Sequence, residues 1–293
     1  MPLPPQTQPP PLQHDFRSPR WLGSALLTGL ATLALIVALI PLGLVLVYVA
    51  VAGGRHLRWS QFLHLPPPPL GAAGGFGNAL LGTVIMVVLG TAIALPLGVA
   101  AAIYLAEFGR GPLATGVRLA NKVLSGVPSI VVGVFVYGVL VVTLKTYSAW
   151  AGGVAIAILM LPLIVASTDE ALQRVPPELR QAAVSLGARD YQMVLQVVLP
   201  AARPAIVTGT LLAIARAAGE TAPLLFTALF TPFWPQWQRG LLEPTASLSV
   251  MIYNFATSPF SNQQTLAFAS SLVLMLLVLL ASLTARFAAI RRP

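Results

Sequence analysis

Residues 213–226 read AIARAAGETAPLLF, and two full charges, Arg216 and Glu220, stand in the middle of an otherwise apolar run. A charge at the centre of a membrane helix costs at least ~2.5–3.5 kcal/mol on insertion scales, so such groups face a cavity or a polar partner. Arginine suits an oxyanion, because its planar fork donates two hydrogen bonds at once. A carboxylate one turn away neutralises the guanidinium when no anion is present and keeps an anion from being held too tightly to leave. The Arg-before-Glu order is the one that helps an isolated helix least, so local helix stabilisation is a poor reason for the pair. Two readings stay open. In one, the pair lines an anion path, with Thr221 beside it. In the other, it is an ion pair that fixes helix packing, beside the small-residue ridge Ala205, Gly209, Ala213 and Ala217.

The elements that must hold this pair follow from composition. Of 293 residues, 57% are hydrophobic and 9% charged, with mean hydropathy +0.83, whereas soluble domains carry about a quarter charged residues. The chain is therefore expected to be an all-α, polytopic integral membrane protein. Six apolar runs long enough for spans fall at about 21–50, 78–106, 123–144, 149–168, 204–230 and 266–288. Counted from Pro204, Arg216 lies roughly 18 Å along the fifth helix, past the middle of a ~30 Å hydrocarbon core, with Glu220 one turn further on the same face. There is no cysteine, so disulfide and thiolate chemistry are excluded. His14, His56 and His64 form no metal-ligand spacing.

An even number of spans puts both termini on one side. In this topology twelve basic residues share that side, among them Arg17, Arg118, Lys122, Arg180, Arg203 and Arg286, against four on the other, Arg55, Arg58, Lys145 and Arg239. That bias makes the termini cytoplasmic. The net charge of +9 is distributed around span ends rather than along a stripe, so nucleic acid is not expected as a partner. Residues 1–20, rich in Pro and Gln, are expected to be a disordered cytoplasmic tail. An anchor helix at 21–50, an extracytoplasmic connection at 51–77 and a core at 78–293 follow. The run after Trp21 is too long for a signal peptide.

The connection at 169–203 reads as two short helices. Pro176 and Pro177 suit a helix start, Glu178 favours its positive end, and Gly187 is a natural residue beyond its end. A second amphipathic segment, RDYQMVLQVVLP, is expected to end at Pro200. QAAVSLG followed nine residues later by VVLP resembles the E-A-A-x3-G-x9-I-x-L-P signature of ABC importer permeases. The resemblance implies a coupling helix that docks on an ATPase subunit. Ala182, Ala183, Gly187, Leu199 and Pro200 match; Gln181 stands in place of the usual Glu and Val197 in place of Ile. The stretches GGFGNALLGT, GVAAAIYLAEFG, NKVLSGVPSIVVGVFVYG, LPLIVASTDEALQRVP, ARAAGETAPLLFTA and SLSVMIYNFATSP resemble the A-type permease subunit of phosphate-specific importers. The resemblance implies phosphate as substrate and, as partners, a second permease, two ATPase subunits and an extracytoplasmic phosphate-binding protein. It implies a prokaryotic inner membrane, no cofactor bound by this chain, and ATP and Mg used by the ATPase.

The remaining features fit around this reading. Gly126 and Pro128 are expected to break the third helix, either as a gate or as an ordinary membrane-helix irregularity. Ser125 and Ser129 offer hydroxyls to an anion or bond back to their own helix. Pro96 and Pro162 read as simple kinks, and Glu107 as a solvated charge at the inner interface. Segment 231–262 either receives a binding protein or closes the outer mouth. No G-x4-G-K-S/T loop is present, so the chain is expected not to hydrolyse ATP. Alternatives are a permease for sulfate or molybdate, or a membrane scaffold that senses phosphate. An intramembrane enzyme would need convergent acid, base or metal ligands, and one buried carboxylate is evident.

Overall fold

A computed structural model of the chain describes residues 19–71, 74–236 and 240–290. All but the last two positions of the expected disordered tail lie outside the described residues, as do Trp237, Arg239, Arg291 and Arg292. The chain divides into two units, residues 1–48 and 49–293. The division falls inside the first helix, α1 (Pro19–His56). In the first unit, residues 23–48 form an apolar helix exposed along its length. A helix apolar all round belongs in lipid. The last turns of α1 belong to the second unit, where Gly53 lies against the backbone of Phe268 and the side chain of Leu272.

The second unit contains α2 (Gly77–Phe108), α3 (Pro112–Gly126), α4 (Ser129–Leu144), α5 (Ala149–Gln173), α6 (Pro177–Ser185), α7 (Asp190–Ala218), α8 (Ala222–Thr227), α9 (Leu248–Ala256) and α10 (Ser261–Ile290). Among the described residues, five helices are long and apolar enough to cross a membrane, and a sixth span is present if α3 and α4 count as one. The break expected at Gly126 and Pro128 is a sharp bend rather than a kink within one helix over 123–144, because α3 and α4 meet at 104°. Pro128 has no N–H to continue a helix and pushes Val127 into extended backbone (φ −71°, ψ 128°). The amphipathic α3 leaves Leu113, Leu119 and Val123 exposed, as a helix lying in a membrane interface does.

The core lies between α2, α5 and α7. Met86, Ile156, Met160, Ile164, Ala213 and Ala217 are buried together. Close approach of α2 and α5 depends on small residues: a Cβ on Gly90 would stand 2.5 Å from Ile156, and one on Gly98 would stand 2.7 Å from Ile164. α10 packs along α7 and α9. Residues 240–247 lie over the start of α5. There the carbonyls of Glu243 and Leu241 accept from Ala149 (3.1 Å) and Trp150 (3.0 Å), pairing amides that a helix start leaves open.

Candidate functional site

The fifth span differs most from expectation, and the difference lies at the charged pair. Its helix, α7, starts at Asp190 and runs through Pro200, where a separate second amphipathic helix was expected to end. A π-turn at Val194–Val198 precedes Pro200, a widening of the helix that accommodates the missing proline N–H. At its other end α7 stops at Ala218, and α8 starts at Ala222. Pro223 sits in the first turn of α8, where its missing donor is tolerated, and it cannot supply the N–H that would continue α7. Glu220 therefore stands in a helix break rather than on the same helical face as Arg216. Tight turns close the break: Gly219 donates to the Arg216 carbonyl (3.1 Å) and Glu220 to that of Ala217 (3.2 Å).

Arg216 Nε lies 3.8 Å from Glu220 Oε1; the Arg216 side chain is 72% exposed and that of Glu220 17%. A single contact at that length with an open guanidinium fixes little packing. The groove between them is floored by Leu159, Met160 and Leu163 of α5. The guanidinium therefore stands on a face of α7 that this chain's own helices leave uncovered. The broken backbone is held from a third direction. The Ser249 hydroxyl donates to the Glu220 carbonyl (2.7 Å), and the Leu248 amide donates to Thr83 Oγ1 on α2 (2.8 Å). Ser247 caps α9 by accepting from the Val250 amide (3.2 Å). Thr83, Ser247 and Ser249 were not singled out in the sequence, although Ser-x-Ser before an apolar run is a helix-start signal. Thr221 is the residue before α8.

The two serines read as offering hydroxyls to an anion or bonding back to their own helix lie apart from the pair. Ser125, on α3, donates to its own helix at the Asn121 carbonyl (2.8 Å). It lines a separate cavity of about 380 Å³ with Arg118, Lys122 and Asp169. Ser129 opens α4, one turn before Gly133, whose Cα face lies against Pro223 of α8. Among the described residues, no hydrogen bond joins Ser125 or Ser129 to Arg216 or Glu220. Gly126 and Pro128 bracket the 104° bend.

The 177–199 region forms a knob. Gly187 has φ +83°; its amide donates to Val184 and that of Ala188 to Ala183 (2.9 and 3.1 Å), the paired bonds of a left-handed helix end. Gln181 and Ala182 are exposed and Ala183 is buried. Leu186, at the tip, is 89% exposed. Leu199 and Pro200 lie inside α7. Glu107 corrects an expectation. It is 7% exposed rather than solvated, and both its oxygens accept from Arg180 of the knob (2.8 and 3.3 Å). Arg180 also donates to the Leu172 carbonyl (2.8 Å) and to that of Val175. A π-turn at Tyr104–Phe108 presents the carboxylate. The partner came from 73 residues along the chain, so no local pattern showed it.

Residues 94–291 match the family of binding-protein-dependent transport system inner membrane components. A phosphate transport system permease protein PstA of Yersinia pestis is 42% identical over 228 residues, 78% of this chain and 76% of its own length. One from Xylella fastidiosa is 40% identical over 94% of both chains. A probable one from Methanocaldococcus jannaschii is 31% identical over 73% of this chain and 76% of its own. Among solved structures, a bacterial alginate ABC transporter chain is similar with TM-score 0.66 at 15% identity, covering 94% of this chain and 98% of that one. A methionine ABC transporter chain is similar with TM-score 0.55 at 21% identity, covering 72% and 91%. At these identities the structures speak for the fold.

Proposed function

The chain belongs to the binding-protein-dependent transport inner membrane components, and within them to the PstA-type permeases; on that premise we propose that it forms part of the phosphate path of an ATP-driven importer. The observation that carries the role of the charged pair is the open guanidinium of Arg216 at a helix break. A second permease of similar fold covers that face, and phosphate passes between the two subunits beside Arg216. Glu220 balances the arginine between passages, and Thr221 lies beside the path. Ser125 and Ser129 come next along the path, towards the cytoplasm, and the bend at Gly126 and Pro128 is the hinge that α4 rocks on.

The knob end is cytoplasmic, with both termini on that side in a prokaryotic inner membrane. Two ATPase subunits bind and hydrolyse ATP with Mg, and each permease knob seats on one of them. Here that surface is built from Gln181, Ala182, Ala183 and Gly187, with Leu199 and Pro200 joining it to α7. An extracytoplasmic phosphate-binding protein delivers the substrate at the other end. This chain makes no bond to the substrate other than transient hydrogen bonds, so it is a transporter subunit rather than an enzyme.

The test is radioactive phosphate uptake by cells carrying Arg216→Gln, with assembly of the complex followed by co-purification. Loss of uptake in an assembled complex is expected; full uptake by the Gln form sinks the path role. Competition by sulfate or molybdate in the same assay would move the substrate to another oxyanion. Intact uptake on deletion of the gene, with altered gene control, would make the protein a sensing scaffold.

A further inference from the structure

At the end opposite the knob, the final turn of α1 and the turn after it bring two arginines and a histidine to one pocket. The pocket has a volume of about 330 Å³, and Arg55, His56, Arg58, Ser60, Asn262 and Thr265 help line it. No carboxylate is among its lining residues. Neither Arg55 nor Arg58 is in an ion pair among the described residues. In the proposed topology, Arg55 and Arg58 are two of the four cations on the minority side. Two exceptions to the positive-inside bias therefore meet in one place.

The turn that holds them is fixed. Gln61 ties both ends of it, donating to the His56 carbonyl (3.1 Å) and accepting from the Arg58 amide (3.0 Å). The Gln61 carbonyl accepts in turn from Phe76 at the start of α2 (2.9 Å), and Phe62 packs edge-on against Phe76 at 4.9 Å between centroids. His56 Nδ1 donates to the Ala52 carbonyl (2.9 Å), which holds the ring in place. Asn262 spends its amide donors on the Pro68 and Gly71 carbonyls, so the ligand-directed charge comes from the α1 end and its turn. A preorganised set of cations without a carboxylate is suited to a phosphate group, which accepts at several oxygens.

We propose that this pocket is a second phosphate-group site, on the outer membrane face. Two sources present the same chemistry: the phosphodiester of an anionic phospholipid, and inorganic phosphate. The surroundings favour the lipid. Trp59 and Leu63 in the same turn are 81% and 70% exposed, and an exposed tryptophan beside basic residues is what a headgroup boundary accommodates.

The experiment uses the purified complete transporter, wild type and Arg55→Gln/Arg58→Gln. Native mass spectrometry after exchange into mixed phosphatidylglycerol and phosphatidylethanolamine reads the lipids retained. With about a factor of five per arginine near a headgroup layer, the preference for phosphatidylglycerol is expected to fall roughly thirtyfold in the double variant. In a second arm, delipidated complex is titrated with radiolabelled orthophosphate. Binding lost in the double variant, without any wild-type lipid preference, makes inorganic phosphate the occupant. Should the double variant fail to assemble, Ser60→Asp places a carboxylate in the same pocket and carries the same expectation. Unchanged lipid preference together with unchanged phosphate binding in an assembled variant overturns the proposal. Phosphate uptake governed by Arg216 is measured separately, so either reading can fail alone.

Discussion

Arg216 is a residue whose chemistry and position can be tested apart. Arg216→Lys keeps the charge but loses the planar fork. Uptake is expected to fall by roughly tenfold to a hundredfold, on the scale of 1.4 kcal/mol per decade for one or two charge-assisted hydrogen bonds, and Arg216→Gln to fall further. Initial-rate uptake at matched complex levels checks this. The Glu107–Arg180 pair makes a stability prediction. Arg180→Met leaves Glu107 charged, largely buried and unpaired, which costs about 3–5 kcal/mol. The melting temperature of the complex should drop. The double variant Glu107→Gln/Arg180→Met should recover much of the loss; a double variant as unstable as the single would show that packing of the arginine stem, rather than the charge, matters.

At the scale of elements, the breaks are more informative than the helices. The knob ends at Gly187 because the chain there needs a left-handed backbone, at φ +83°. Gly187→Ala introduces a Cβ into that conformation at about 1–2 kcal/mol, while nothing lies within 4 Å to clash with it. Its expected effect is a loosened knob, read as ATPase activity no longer stimulated by the binding protein, in a complex that still assembles. The break in the fifth span is held by one side chain from another element. Ser249→Ala leaves the Glu220 carbonyl without its partner, at about 1–3 kcal/mol if no water replaces it. Faster hydrogen exchange at residues 218–222 is the expected sign; unchanged exchange would place the restraint on the break elsewhere.

At the scale of the whole molecule, the open face of α7 and the exposed knob belong to a subunit of an assembly. Purification in mild detergent is expected to bring down a second permease and an ATPase, and recovery of a lone chain would remove the premise of a shared path. The sequence alone determined membrane residence, the approximate spans, the knob and its glycine, and the arginine worth testing, because hydropathy, turn chemistry and the cost of a buried charge are local. Family resemblance in short motifs supplied the transport class and phosphate. Only the tertiary structure decided the rest. Pro128 and Pro223 were visible, but whether a proline bends a helix or ends it depends on what the freed backbone meets. At 219–221 it meets Ser249, which is 29 residues away, and Glu107 meets Arg180 across 73 residues. The basic pocket gathers Arg55 and Arg58 with Asn262 across more than half the chain. Such pairings are set by how helices pack, and no spacing along one strand of sequence encodes them.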